Sequence, residues 1–442
     1  WESMQLIREK IALRGGDCDT VVHRFTRHGP VIHMDPLHHK AYGLRTVLLE
    51  AGAAPYLASL AYLEAKDWAQ FRDALRRWRA PSLSFVGADV SGTIGWSTSG
   101  LAPIRKNWDG LLPVPGDGRY EWEGFLDPDD LPAEINPDCG WVASANQMSL
   151  PPHYPYRERK LGFEWSDPAR YDRLAEVFAQ AHRVSPEDCQ RLQNEVVCLP
   201  ARRLVALLTD LDGDDPSLES AIALLGSWDG SLGADSGAAA LFEIWFTRHL
   251  CPAVMERQVP SSVRSRFDLP DTRIILESLE TPSPCFGDPP GRARDDLLLS
   301  TLSSAFNETR RLLGEDCSQW RWGHLHTVTF EHSLGVRVDE ALRERLNVGP
   351  YPVGGSDLTL NKAAYDGKDF RVSRGASWRI VADVGNWDDC QVMNAPGQSG
   401  NPQSTHYRNL APAWLAGQYV RMPYTRAVVE SEACERIVLS PD

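Results

Sequence analysis

Few residues of this chain have the type and spacing that chemistry requires. One of them lies in GWVASANQMSLPPHYPY, Gly140 to Tyr156. Trp141, Val142 and Ala143 are β-compatible or small and predict a strand. Asn146-Gln147 and a proline-rich turn follow, so Asn146 is expected where a strand gives way to irregular chain, a common position for reactive groups. A side-chain amide held there can donate to an oxyanion. The same amide can instead satisfy the backbone of its own turn, and the segment alone leaves both readings open.

Other constellations fail on spacing. The acidic run from Asp210 through Asp212 and Asp214 to Asp215 hints at a calcium loop, but Asp215 stands where glycine is needed and Ala221 where glutamate is needed. His38-His39 and the pair His324, His326 could ligate a metal, yet no HExxH accompanies them, and adjacent histidines on a strand face opposite ways. Gly397-Gln398-Ser399-Gly400 is not a nucleophile elbow, because Asn401 takes the place of the second glycine. No Walker A loop and no dinucleotide fingerprint is present. Nine cysteines form no CxxC pair, which excludes zinc-ribbon and thioredoxin chemistry; their odd, scattered number predicts mostly buried free thiols and leaves one or two disulfides open. The residues therefore offer a candidate oxyanion donor and several glycine-rich loops, with no self-contained nucleophile.

The elements that position these residues are mixed. The chain has 442 residues, 42% of them hydrophobic, with 34 Gly, 31 Pro and 15 Trp, which predicts a loop-rich α and β body. A net charge of −14 argues against nucleic acid as a partner, and Arg76-Arg77-Trp78-Arg79, Arg157–Lys160 and Arg310-Arg311 read as solvated helix faces or ion-pair sites. No apolar run is long enough to span a membrane. Gln5–Leu13 and Thr20–Thr26 predict a hairpin turning at Gly15-Gly16, followed by a strand entered through Gly29-Pro30. Leu57–Trp78 has helical periodicity, Ser82–Thr98 reads as a hairpin turning at Asp89–Gly92, and Leu112–Gly118 as a rigid loop. Helices are expected at Arg170–Phe178, Leu204–Leu208, Leu218–Leu225, Ala238–Leu250 and Leu297–Leu313, and later strands at Val381–Val384 and Arg436–Leu439. Trp-Asp recurs at irregular spacing, which excludes a propeller. The expected organisation is one composite domain: a β-rich part over 1–166, a helical insertion over 167–313 and a return to the β-rich body over 314–442.

Ten segments then appear in a fixed order. They are TRHGPVI (Thr26–Ile32), FVGADVSGTIGW (Phe85–Trp96), LPVPGDGRYEWEGF (Leu112–Phe125), INPDCGWVASANQ (Ile135–Gln147), PARYDRL (Pro168–Leu174) and LLGSWDG (Leu224–Gly230). WGHLHTVTFEHSLG (Trp322–Gly335), GGSDLTLN (Gly354–Asn361), GASWRIVADV (Gly375–Val384) and PGQSGNPQSTHY (Pro396–Tyr407) complete the series. Together they resemble the penicillin acylase family of N-terminal nucleophile hydrolases, over the C-terminal majority of its β chain.

The resemblance implies an α+β fold, the αββα four-layer sandwich of those hydrolases with a helical insertion. It implies an amidohydrolase that cleaves the amide of an N-acyl compound through an acyl-enzyme on an N-terminal Ser, whose own α-amine takes the hydroxyl proton. That logic accounts for the missing triad. By resemblance, Asn146 belongs to the oxyanion hole and Arg170 organises the pocket. A structural calcium is implied, with the Gly110 carbonyl and Glu158 as ligands, Glu158 standing where the family usually has Asp; no organic cofactor is implied. The implied partners are a small α chain from the same precursor, the missing N-terminal part of the β chain and a small N-acyl substrate, with no nucleic acid and no membrane. The implied location is periplasmic or secreted. The chain opens on Trp1, which carries no nucleophile, so alone it is expected to be inactive. Two alternatives remain: a non-catalytic binding or scaffold homologue with the same fold, and a metal-dependent hydrolase using His324, His326 and an acid.

Overall fold

Alternation and a double-glycine turn predict the first hairpin, and the computed structural model contains it. Strand β1 (Gln5–Ala12) pairs antiparallel with β2 (Cys18–Thr26), Gln5 opposite Phe25 and Ala12 opposite Cys18. Strands β3 (Gly29–Asp35) and β4 (Lys40–Gly43) complete a four-stranded sheet in sequence order. Gly29 is obligatory at its corner, because its φ is 130° and an added Cβ would collide with the carbonyl oxygen of Leu44. The structure describes residues 2–53, 55–213, 215–267, 271–367 and 369–441, and they fall into two compact units, Trp1–Ser166 and Asp167–Asp442.

In the first unit the expected helix Leu57–Trp78 is broken. It is replaced by α1 (Pro55–Ser59), a 3-10 turn over Leu60–Glu64 and α2 (Trp68–Leu75). The reason is local: Asp67 adopts an extended backbone and its carboxylate accepts from the Gln70 N–H at 2.8 Å, which starts a new helix. The buried face of α2 carries Trp68 and Leu75. Strands β5 (Leu83–Ala88) and β6 (Ile94–Ser99) form the expected hairpin. Its turn is organised by Asp89, which accepts from the N–H groups of Ser91, Thr93 and Trp68; the Ser91 hydroxyl bond and these contacts hold its carboxyl down at about 2. Gly95 lets the indole of Trp68 approach β6 closely, since an added Cβ would sit 2.7 Å from Nε1 and closer still to the ring carbons. Strands β7 (Pro103–Arg105) and β8 (Trp122–Phe125) form a small ribbon, and β9 (Ala133–Ile135) pairs with β6. The strand expected at Trp141–Ala143 is not formed: the segment is irregular chain and enters no sheet among the described residues.

The second unit is helical first. It runs through α3 (Ala169–Gln180), α4 (Pro186–Gln193), α5 (Leu199–Ala206), α6 (Pro216–Gly226) and α7 (Gly237–Ile244), then through a π turn at Trp245–Leu250 into α8 (Cys251–Gln258). Next come α9 (Ser261–Arg264), α10 (Thr272–Glu280) and α11 (Pro290–Leu313). Leu204, Leu225, Phe242, Trp245, Leu298 and Leu302 meet in one buried core. Each such side chain contributes roughly 1.5–3 kcal/mol by leaving water. The Trp245 indole N–H is satisfied by the Thr301 hydroxyl at 3.0 Å. Asp215 caps α6, accepting from Ser217 and Leu218, while Asp214 of the same acidic run lies outside the described residues.

Short strands follow: β10 (Thr327–Phe330) with β11 (Val348–Pro352) beyond α12 (Glu340–Leu346), then β12 (Ala363–Ala364) with β13 (Arg374–Gly375). Strands β14 (Trp378–Val381), β15 (Gln391–Asn394) and β16 (Val420–Arg421) make the last sheet, with α13 (Ala411–Leu415) before β16 and α14 (Arg426–Glu432) after it. The strand expected at Val381–Val384 thus ends where it was to begin, because Asp383 turns the chain by accepting from the Gly385 N–H at 2.8 Å. Arg436–Leu439 is not a strand but exposed chain, with Leu439 90% exposed. Nor are the thiols mostly buried: Cys198, Cys251 and Cys390 are, while Cys18, Cys139, Cys285 and Cys434 are exposed. None of the nine is in a disulfide.

Candidate active site

Asn146 lies between two anchors. Ala145 and Gln147 are buried, and the Gln147 side-chain carbonyl accepts from the Ala145 N–H at 2.7 Å. Asn146 itself is exposed, with φ at 68° in the left-handed region. Among the described residues only His39 and Asn136 share that conformation without being glycine. Asparagine tolerates it better than most residues, yet it still costs on the order of 1 kcal/mol. The Asn146 carbonyl accepts from the Ser166 N–H at 2.9 Å, which ties the loop's far end back to this point. Between those ends the Tyr154 hydroxyl donates to the Asp130 carbonyl at 3.0 Å, and Arg159 pairs with the Asp130 carboxylate at 2.9 Å. A short amide held this way can present its N–H donors with little reorganisation, the property an oxyanion hole needs.

Arg170 occupies the first turn of α3, in the second unit. Asp167 starts that turn by accepting from the Ala169 N–H at 2.8 Å. Burial lowers the pKa of the Arg170 guanidinium, while the carboxylates of Asp357 and Asp167 favour its charged form. The next arginine on the helix is structural. Arg173 binds Glu176 and grips both oxygens of Glu195, clamping α3 to the chain beyond α4. Asp357 lies inside the GGSDLTLN segment, where nothing in its local sequence marks it as a partner for Arg170. It also pairs with Lys362 at 2.7 Å, so one carboxylate serves two cations.

The residues implied for calcium do not by themselves compose a site. The Arg105 guanidinium packs against Gly110, where an added Cβ would lie 2.9 Å from Arg105 Nε, and a cation there opposes another cation. Glu158 is exposed, and its side chain makes no hydrogen bond or ion pair among the described residues. No group of three His, Cys, Asp or Glu side chains among the described residues could hold a metal. His324 and His326 do not converge either. His326 is fully buried, its Nδ1–H donates to the Phe370 carbonyl at 2.6 Å, and its ring stacks on Trp322 with centroids 4.6 Å apart. Burial lowers its pKa to about 4, so the imidazole stays neutral in the core.

Beside His326 is a buried polar group that the sequence reading missed. Glu243, on α7, is only 2% exposed and accepts from the Tyr365 hydroxyl. Burial raises the Glu243 pKa to about 7, against hydrogen bonds from Tyr365 and Ser356. A glutamate inside the apolar run GAAALFEIW was the available signal, because charge in the middle of a buried helix face needs a partner.

Comparison with known proteins places these features in a family. The penicillin amidase family model matches residues 1–431. The acyl-homoserine lactone acylase QuiP of Pseudomonas aeruginosa is 29% identical over 96% of this chain and 55% of that protein. The penicillin acylase 2 proenzyme of Pseudomonas sp. strain SE83 is 30% identical over 98% of this chain and 56% of that protein. This chain spans about half the length of the curated relatives it matches. The thermostable penicillin G acylase from Alcaligenes faecalis superposes with a TM-score of 0.72, at 22% identity, over all of this chain and 82% of that one. This likeness shows the fold, and the α+β class expected from the sequence stands. With the ordered segments, the shared fold and a family match covering nearly the whole sequence, the chain belongs to the penicillin amidase family.

Proposed function

We propose that this chain is part of an amidohydrolase that cleaves the amide of an N-acyl compound, with Asn146 in the oxyanion hole. The observation that carries this reading is the strained, left-handed backbone of Asn146 between two buried anchors. Such strain concentrates where geometry is functional. The nucleophile is the hydroxyl of an N-terminal Ser from outside these residues. Its proton passes to its own α-amine, and its oxygen bonds to the amide carbon. Asn146 stabilises the negative oxygen, the amine leaves with the proton, and water then hydrolyses the ester to free acid and Ser. Arg170 organises the pocket from the start of α3. The substrate class is a β-lactam side-chain amide, an acyl-homoserine lactone or an acylated peptide. The partners are a small α chain from the same precursor and the N-terminal part of the β chain, and the location is periplasmic or secreted. A structural calcium on Gly110 and Glu158 would need further oxygen ligands, and no step depends on it.

The test uses the full-length protein and N-acyl substrates of the three classes. Asn146→Gly keeps the left-handed backbone and removes only the amide, so kcat should fall about a hundredfold or more while the fold is unchanged. Near-normal turnover in that variant removes Asn146 from the mechanism. Absence of hydrolysis by a full-length protein whose mature chain begins with Ser would favour the non-catalytic alternative.

A further inference from the structure

The second unit contains a cavity of about 480 Å³, a size suited to a small organic ligand. Its walls are apolar where β10 contributes Val328 and Phe330 and α13 contributes Trp414. Its charged lining residues are Lys362, Arg374 and Arg379, and no Asp or Glu lines it. Lys362 is answered by Asp357 at 2.7 Å. Arg379 is not answered by any carboxylate among the described residues. It is 5% exposed; one Nη donates to the Trp414 carbonyl and the other to the Asn361 side-chain carbonyl, each at 3.1 Å. Its guanidinium lies 4.7 Å from the centre of the Trp414 ring, and its Nε is buried without a hydrogen-bond partner. A buried cation held only by neutral acceptors lacks the counter-charge that would offset its desolvation.

The geometry points to a binding site for a small monocarboxylate with an apolar body, its head on Arg379 and its chain against Val328, Phe330 and Trp414. A carboxylate supplies the missing charge, and charge-assisted bonds to guanidinium are the strong kind. An apolar tail replaces water along the β10 and α13 walls. A polyanion is disfavoured, because Lys362 is already paired and Arg374 sits at the exposed rim. The site rests on this cavity alone and does not require the hydrolase reading.

Calorimetric titration of the 442-residue chain tests it, with sodium octanoate, 1-octanol, octylamine and acetate as probes. Octanoate should bind saturably at one site, and each of the other three at least about tenfold more weakly. Arg379→Gln should erase the preference for octanoate over octanol. Ser377→Phe, an exposed lining position, should block octanoate by filling the cavity and keeps the test valid if Arg379→Gln does not fold. Octanol binding as tightly as octanoate would overturn the proposal, as would octanoate binding unchanged by Ser377→Phe or no saturable binding of octanoate.

Discussion

Replacing Glu243 with Gln should expose a pH dependence of stability that the native chain conceals. Glu243 titrates at about 7 in the folded state against an ordinary value of 4.5. Between those values the folded state binds more protons than the unfolded one, so this group makes stability fall as pH rises. At about 1.4 kcal/mol per unit, the whole window is worth about 3 kcal/mol. His326 acts the other way. Its pKa is about 4 when folded and ordinarily 6.5, so it makes stability rise with pH across a window that overlaps the first by about two units. In the native chain the two slopes nearly cancel in the overlap. Glu243→Gln keeps an acceptor for the Tyr365 hydroxyl and removes only the glutamate's titration. Its stability should therefore rise from about pH 4 to about pH 6.5 and then level. The difference between variant and native chain should grow from near zero at about pH 4.5 to about 3 kcal/mol above neutrality, in favour of the variant. Guanidinium unfolding followed by tryptophan fluorescence across that pH range measures both curves. A difference that stays constant with pH would refute the reasoning, because it would mean that Glu243 carries the same charge in both states.

The remaining predictions use the same assay or the full-length enzyme. Gly95→Ala forces a methyl into the Trp68 indole and should cost about 1–3 kcal/mol in denaturant titrations. Asp67→Ala removes the cap of α2 and should cost about 1 kcal/mol, whereas Asp67→Asn should restore most of it. Arg170→Lys keeps the charge but loses the planar fork. In the full-length protein it should lower kcat/KM by about tenfold or more, and an unchanged value would remove Arg170 from the pocket.

Much of the local structure was legible. The β1–β2 and β5–β6 hairpins follow from alternation and turn residues only a few positions apart, and the Leu297–Leu313 part of α11 follows from apolar residues at helical spacing, while its start at Pro290 does not. The misreadings share a cause. Leu57–Trp78 looked like one helix because its apolar spacing outweighed a single capping aspartate. Trp141–Ala143 and Arg436–Leu439 have strand composition but enter no sheet among the described residues, and composition cannot supply a neighbouring strand. At the candidate site, residue type and the place before a proline-rich turn made Asn146 a candidate, and only the family resemblance favoured the oxyanion role over a structural one. Its left-handed backbone could not be read, because it is imposed by the buried neighbours and by the bond from Ser166.

The sequence by itself determined the family, through ten segments in order, and through that resemblance the α+β class; the shift from period-two to helical patterns near Asp167 marked only where the helices begin. Only the tertiary structure decided the pairing of Glu243 with Tyr365, 122 residues apart, the neutrality of His326 and the lack of a carboxylate partner for Arg379 among the described residues. The physical reason is range. Propensity, capping and turn chemistry act over a few residues and leave their marks in the string. Burial and counter-charge depend on which distant side chains arrive together, and the sequence does not record that arrival.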